Sequence, residues 1–413
     1  MLSILPNGIK KEESIMQVVV PITVNVDIDS PNLKEIINGF RDALNPCFQT
    51  VVLQVLNYFA LKYMRDGTLA QMLHSSKLTW KTSKGNEMTS IHTIFGKIQV
   101  PQLQVKDHER KGRRYITRLL LGIQPRVRIP HITVKMIGLM GSLATYRVVK
   151  KIASMFTAAN FSLMSILRCI RKAAQEIDFS IQEQEKNEFE ADGTGLPVKK
   201  TGKRGKELKV LAQRKKTSGI RIAGMALGQY KKGWDKIFNP LKESLKKFKE
   251  IFLITDGDTT PLEGLKGIKI TLQRCLFHIP HETKYTLWED KVKRKSEPWK
   301  YILAQVLDIT NVRRIKEEQG VAERFIQRKL DQFTLLITYC RMNGYEHTAH
   351  YFSDAKADLF SGIEKRVMGA TLSYIERVMR TINMRINVAK WSSESALAVA
   401  KIRGAYYYNG FNV

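Results

Sequence analysis

The sequence predicts an α/β core carrying a helical insertion and preceded by an α+β N-terminal region. Three observations predict it. Across residues 186–280, short apolar runs alternate with glycine and charge, in the order three strands, a helix, a strand, a connecting segment and another strand. Residues 283–360 contain no strand-like run and are rich in Lys, Glu and Gln, which reads as helices. The chain has 413 residues, of which 43% are hydrophobic, enough for two or three domains with real cores and too many for a disordered chain.

In chain order, residues 1–30 read as a leader followed by an extended arm, MQVVVPITVNVDID, where Pro21 interrupts an apolar run. The leader lacks a long apolar stretch and a small-residue cleavage site, so a secretory signal is not expected. Residues 31–75 read as helix, with Phe48, Val51, Val52, Val55, Leu56, Phe59 and Leu61 crowded together. Residues 76–107 turn to β, with Ser, Gly and Asn between β-branched runs and Gly96 at a turn. Residues 131–185 give two helices around the polar break TAANFS; the pattern fits plain packing and also a helix-turn-helix. The first domain is therefore placed at 1–130, for DNA-end recognition or dimerisation, followed by a helical segment at 131–185. The core spans 186–282 and 361–413, with the insertion at 283–360.

Charge narrows the function. There are 68 Lys or Arg against 39 Asp or Glu, a formal surplus of +29. Such a field favours polyanions, chiefly nucleic acid, through release of condensed counterions. Between Val198 and Glu250, 17 basic residues face 4 acidic ones, so an eighth of the chain holds nearly half of the surplus. Lys199, Lys200, Lys203, Arg204, Lys206, Lys209, Arg214, Lys215 and Lys216 are the densest part, either as a solvated loop or as a phosphate-contacting surface. Glycines break this stretch, which argues against a membrane-surface helix, and no run is long enough to span a bilayer. Four cysteines, at 47, 169, 275 and 340, make no disulfide framework and fit a reducing, cytoplasmic compartment. No Walker loop or Rossmann glycine pattern is present, so no nucleotide cofactor is expected.

The chemistry is read from carboxylates. Asp192 in EFEADGTGL ends an apolar-alternating run and Asp256 in IFLITDGD an almost purely apolar one, and each precedes glycine. A buried strand ending in Asp delivers that carboxylate to the sheet's C-terminal edge, where open α/β sheets bind ligands. Two such strands side by side would share a hard cation such as Mg²⁺ or Mn²⁺. Asp-Gly is also a common turn pair, and Asp258 is a rival to Asp256. In SYIERVMRTINMRIN, Ile375, Val378, Met379, Ile382 and Ile386 mark a buried helix face. Glu376, Arg380, Asn383 and Asn387 form the adjoining polar stripe, which places Glu376 at the border, with Glu364 and Glu394 as rivals. Cys275 and His278 read as a structural pair beside the sheet, as a DNA-holding pair, or as part of a zinc site with His281, Cys340, His347 and His350.

The anchors ADGTG, LITDGD, QRCLFH and IERVMRTINMR, followed by Trp391 and IRGAYYYN, resemble the catalytic core of a Mutator-like DDE transposase of bacterial and archaeal insertion sequences. The resemblance covers roughly residues 186–413 and implies an RNase H-like mixed sheet. It also implies metal-dependent DNA strand cleavage and transfer, with Asp192, Asp256 and Glu376 as catalytic and metal-binding residues. In that family a Cys-x-x-His pair follows the second Asp, as Cys275 and His278 follow Asp256, and a helical insertion precedes the Glu. Expected partners are double-stranded DNA, as terminal repeats and target, and further copies of the chain in a dimer or larger assembly. Lys199, Lys200, Lys203, Arg204, Lys206, Lys215, Lys216, Arg380 and Arg385 are the expected DNA contacts. The expected location is the nucleoid. The competing readings are a non-catalytic DNA-binding derivative and a structure-specific nuclease.

Overall fold

A computed structural model describes residues 11–12, 15–25, 33–81, 87–198, 206–312, 319–364, 374–389 and 391–411. The chain forms two compact units, 1–173 and 174–412. The expected domain limits at 130 and 185 bracket the observed boundary.

The first unit is α+β. Its long helix, Leu33–Arg65, holds Pro46 inside it and buries Leu56 and Ala60. Strands Leu78–Lys81, Gln104–Asp107 and Gly112–Tyr115 form one antiparallel sheet, and Met88–Thr93 pairs with Gly96–Pro101 in a hairpin. The turn predicted at Gly96 is present and requires glycine. Its φ is +127°, and a Cβ there would meet the Asn45 amide at 2.3 Å. That amide instead donates to the Phe95 carbonyl at 3.1 Å, tying the long helix to the hairpin. Helices His131–Leu143, Tyr146–Phe156 and Leu163–Gln175 follow. The last two flank the predicted break, which spans residues 157–162 and is longer than the roughly three- or four-residue turn of a helix-turn-helix.

The second unit is a mixed α/β layer structure. Its strands are β1 (Glu188–Leu196), β2 (Lys206–Arg214), β3 (Ile220–Leu227), β4 (Ile251–Thr255) and β5 (Ile270–Arg274). The sheet order is β3-β2-β1-β4-β5. β2 runs antiparallel to both β1 and β3, whereas β4 lies parallel to both β1 and β5. The predicted order of three strands, helix, strand and strand is what forms, with the helix α1 at Tyr230–Lys246.

The alternation of side chains on β1 sorts the two sheet faces. Phe189 and Ala191 join Leu211, Ala223 and Leu253 under Trp234, Ile237, Phe238 and Leu241 of α1, a dry apolar layer. Glu188, Glu190 and Asp192 point to the other face and are buried there.

Helices α2 (Ile279–Glu289), α3 (Glu297–Thr310), α4 (Gln319–Met342) and α5 (Glu346–Lys356) form the insertion, as its sequence predicts. Their own core includes Ile302, Val306, Phe333, Cys340 and Phe352. Asp290 caps α5 by accepting from the His347 and Thr348 amides, each at 2.9 Å. Phe333 and Phe352 are fully buried, with ring centroids 5.0 Å apart. Phe352→Ala is expected to cost about 3–5 kcal/mol in urea unfolding. Leu335→Gln, on the 71% exposed side of α4, should cost less than about 0.5 kcal/mol. The chain closes with α6 (Ile375–Ile386) and α7 (Ser393–Tyr408). α7 lies against β3, where Asn409 clamps the Ile222 backbone with two 2.8 Å hydrogen bonds. Among the described residues, no helix is long and apolar enough to cross a membrane.

Candidate active site

The parallel register sets the two aspartates side by side. β4 pairs Phe252 with Glu188 and Ile254 with Glu190, so two residues further on Asp256 comes opposite Asp192 on the same face. Asp192 is 9% exposed and accepts the Gly193 amide at 2.6 Å. Its carboxyl is pushed up to about 7, first by burial, then by the negative charges of Asp256 and Glu376; the Gly193 amide and His278 oppose this. Three carboxylates distant in sequence therefore meet within electrostatic reach.

Asp256 follows β4 directly and opens a tight loop. Its Oδ1 accepts the Asp258 amide at 2.9 Å. Gly257 between them has φ +117°, and a Cβ there would meet the Arg274 guanidinium at 2.7 Å. That guanidinium is held by Asp358 at 2.8 Å. Asp258 serves the loop rather than the site. It accepts the Thr260 amide and hydroxyl at 2.9 and 2.7 Å and lies 3.5 Å from buried Lys209, whose ammonium sits 5.1 Å above the Trp234 ring. Of the two aspartates, Asp256 is the one whose charge bears on Asp192.

Glu376 stands in the first turn of α6, and the buried face predicted for that helix is observed. Its N-cap residue, Tyr374, makes no side-chain cap. Fully buried Glu190 of β1 accepts the Ile375 amide at 2.8 Å, so the sheet itself caps the helix one residue before Glu376. Glu190 is neutralised by Arg214 of β2 at 2.6 Å, and that guanidinium covers the Tyr374 ring at 4.8 Å. Further along α6, Asn383 donates to Thr194 of β1 at 2.9 Å.

His278 Nε2 lies 2.9 Å from Glu376 Oε1. Burial pulls the His278 imidazole down, but Cys275 and Glu376 outweigh it, and the net direction is upward. Glu376 is lowered, mainly by its hydrogen bond with His278 against opposing burial, with His281 and Arg380 adding positive charge. Cys275 is 2% exposed beside the sheet. Among the described residues the side chains of the zinc reading form no group of three that could hold a metal; Cys340 is buried in the insertion core, and exposed His350 pairs with Asp354 at 3.0 Å.

The expected DNA contacts scatter. Lys199, Lys200, Lys203 and Arg204 lie outside the described residues. Lys206 is exposed and lines a cleft with Gly195, Leu196, Pro197, Glu207 and Asn387, past the end of β1 that carries Asp192. Lys215 and Lys216 follow β2 at its far end, five and six residues beyond Val210, the partner of Asp192. At roughly 3.4 Å per residue, that is about 17–20 Å from the carboxylates. Arg380 is exposed beside Glu376. Arg385 corrects the expectation: it is 5% exposed and stacks 4.6 Å over Trp391, because its position on α6 belongs to the buried face.

Glu190 escaped the sequence reading, and Lys209 and Arg214, counted in the basic stretch only for their charge, are buried. The signal for Glu190 is the acidic alternation Glu188, Glu190, Asp192 interleaved with Phe189 and Ala191, which marks one polar strand face. No family model matches the chain, and no curated protein matches it.

Proposed function

We propose that the unit 174–412 carries out metal-dependent phosphoryl transfer on DNA, as the transposase of a mobile element. The observation that carries this reading is the meeting of Asp192, Asp256 and Glu376 on one sheet face, with Asp192 burdened by the charge of the other two. The strand order β3-β2-β1-β4-β5, antiparallel on one side and parallel on the other, supports an RNase H-like core of the Mutator-like kind.

Among the described residues, no three His, Cys, Asp or Glu side chains stand close enough to hold an ion as they are, and Glu376 is turned to His278. The donor set nevertheless fits a hard divalent cation. It offers carboxylate oxygens, and their mutual repulsion is what such a cation relieves. Asp192, Asp256 and Glu376 would hold Mg²⁺ or Mn²⁺, which when bound activates an attacking hydroxyl and steadies the leaving oxygen of a phosphodiester. The chain's own residues do the rest. Asp192 and Asp256 are fixed by strand register and by the Asp258 loop. Glu190 fixes the start of α6 and hence Glu376. His278 and Arg380 give the acidic site a cationic rim that tolerates phosphate.

Double-stranded DNA is the proposed substrate, a dimer or larger assembly the proposed working form, and the nucleoid the proposed location. The test is strand cleavage and joining on a duplex bearing the DNA that flanks the gene, with Mg²⁺ or Mn²⁺. Wild type should nick and join, and Asp256→Asn should do neither while binding DNA equally well. Cleavage without joining would reassign the protein to the nucleases. Binding with no cleavage, or equal cleavage by Asp256→Asn, would overturn the reading.

A further inference from the structure

A cleft of about 460 Å³ opens between the start of α2 and the end of α3, lined by Leu276, Phe277, Pro280, His281, Lys284, Leu307, Thr310 and Asn311. This is ligand-sized. It begins one residue from His278, whose imidazole holds Glu376. Its base is apolar, with Leu276 at 3% exposure. One wall is aromatic and open: Phe277 is 47% exposed, and its ring lies 5.1 Å from that of exposed His281. Lys284 is exposed and supplies charge. Thr310 and Asn311 supply polar groups; the Thr310 hydroxyl donates to the Val306 carbonyl at 2.9 Å and keeps its oxygen as an acceptor. The same face of α2 continues to Tyr285 and Trp288, 54% and 68% exposed, with ring centroids 5.8 Å apart.

We infer that this cleft receives one unpaired nucleotide of the DNA strand next to the cleaved phosphate. The inference rests on the phosphoryl-transfer reading and deepens it. An exposed aromatic ring beside an apolar floor is what an unstacked base seeks, and stacking accepts every base because each has a π-face. Lys284 and His281 are placed for the phosphates on either side of that base, and Thr310 and Asn311 can meet its polar edge. A protein partner would also cover aromatics, but cationic groups at the cleft beside a carboxylate site favour a polyanion. A strand leaving the cleft along α2 meets Tyr285 and Trp288 as the next stacking surface.

The test needs no cleavage. Duplexes with a three-nucleotide overhang carry 2-aminopurine at each overhang position in turn, and a blunt duplex serves as reference. Wild type should bind the overhang DNA about tenfold more tightly than blunt DNA, with the fluorescence of one position quenched on binding. Phe277→Ala should lose the quench. Leu307→Trp, which fills the cleft from a position 57% exposed, should lose both the quench and the preference while binding blunt DNA unchanged. Equal preference in both variants and wild type, or quenching at no position, would overturn the inference. So would competition by free dAMP at low concentration, which would make the cleft a mononucleotide site. A chain that cleaves DNA but ignores overhangs sinks this inference alone. One that prefers overhangs yet never cleaves sinks the catalytic reading and leaves the cleft standing.

Discussion

Replacing Asp192 with asparagine is expected to make the protein both more stable and inert. The carboxyl of Asp192 is raised from an ordinary value near 3.8 to about 7 by burial and by its two acidic neighbours. Between about pH 4 and pH 7 the folded protein holds a proton that the unfolded chain has released, so stability falls as pH rises through that window and stays low above it. Asparagine carries no charge to bury. Its advantage should therefore be near zero at pH 4 and complete above pH 7. Three units set an upper limit of about 4 kcal/mol, reduced by the coupling to Asp256 and Glu376. Thermal unfolding should show the variant several degrees above wild type at pH 8 and level with it at pH 4. Mg²⁺ should close the gap by stabilising wild type, by about 2.7 kcal/mol at a hundred times its dissociation constant, and should act weakly on the variant. Strand cleavage should fall by more than about 100-fold, since even outer partners of metal ligands are worth about 10–100-fold. A variant that is less stable than wild type at pH 8 would mean that Asp192 is a satisfied structural carboxylate.

That opposition of stability and chemistry explains what the sequence could and could not tell. Asp192 and Asp256 could be picked out because one ends an alternating run and the other an apolar run, each just before glycine, and the coincidence of two is more informative than either alone. Glu376 was legible because the apolar period of α6 runs unbroken from Ile375 to Ile386 and leaves it on the border. The same period condemned Arg385, which lies three residues after Ile382 and one before Ile386, within the buried face; a basic residue was read by its charge when its position should have decided. Lys215 and Lys216 stand away from the carboxylates for a different reason. Nearness along a hairpin strand to other lysines says nothing of which sheet edge a residue reaches, and register alone fixes that. Asp258 looked interchangeable with Asp256 because both follow the same strand. Only the fold brings Lys209 and Trp234 under one of them.

Glu190 is the residue whose loss should reveal how the site is built. It is fully buried, paired with Arg214 at 2.6 Å and capping α6 through Ile375 at 2.8 Å. Glu190→Ala leaves Arg214 buried without this partner, and breaking such a pair costs about 3–5 kcal/mol. Activity lost with that fold would prove little. The informative comparison is the double variant Glu190→Leu with Arg214→Met, since replacing a buried ion pair by apolar residues is often neutral or stabilising. In urea unfolding the double variant should regain most of the loss. It cannot restore an acceptor for the Ile375 amide, so the first turn of α6 is no longer pinned to β1 and Glu376 loses its fixed approach to Asp192. Cleavage by the double variant should remain at least about tenfold below wild type at saturating Mg²⁺, because a misplacement of about 1 Å can cost about 100-fold. Glu190→Gln keeps a carbonyl oxygen for Ile375 and should be the less stable but more active of the two. Wild-type cleavage by the double variant would show that Glu376 is positioned by helix packing alone, and that the sheet-borne cap belongs to stability.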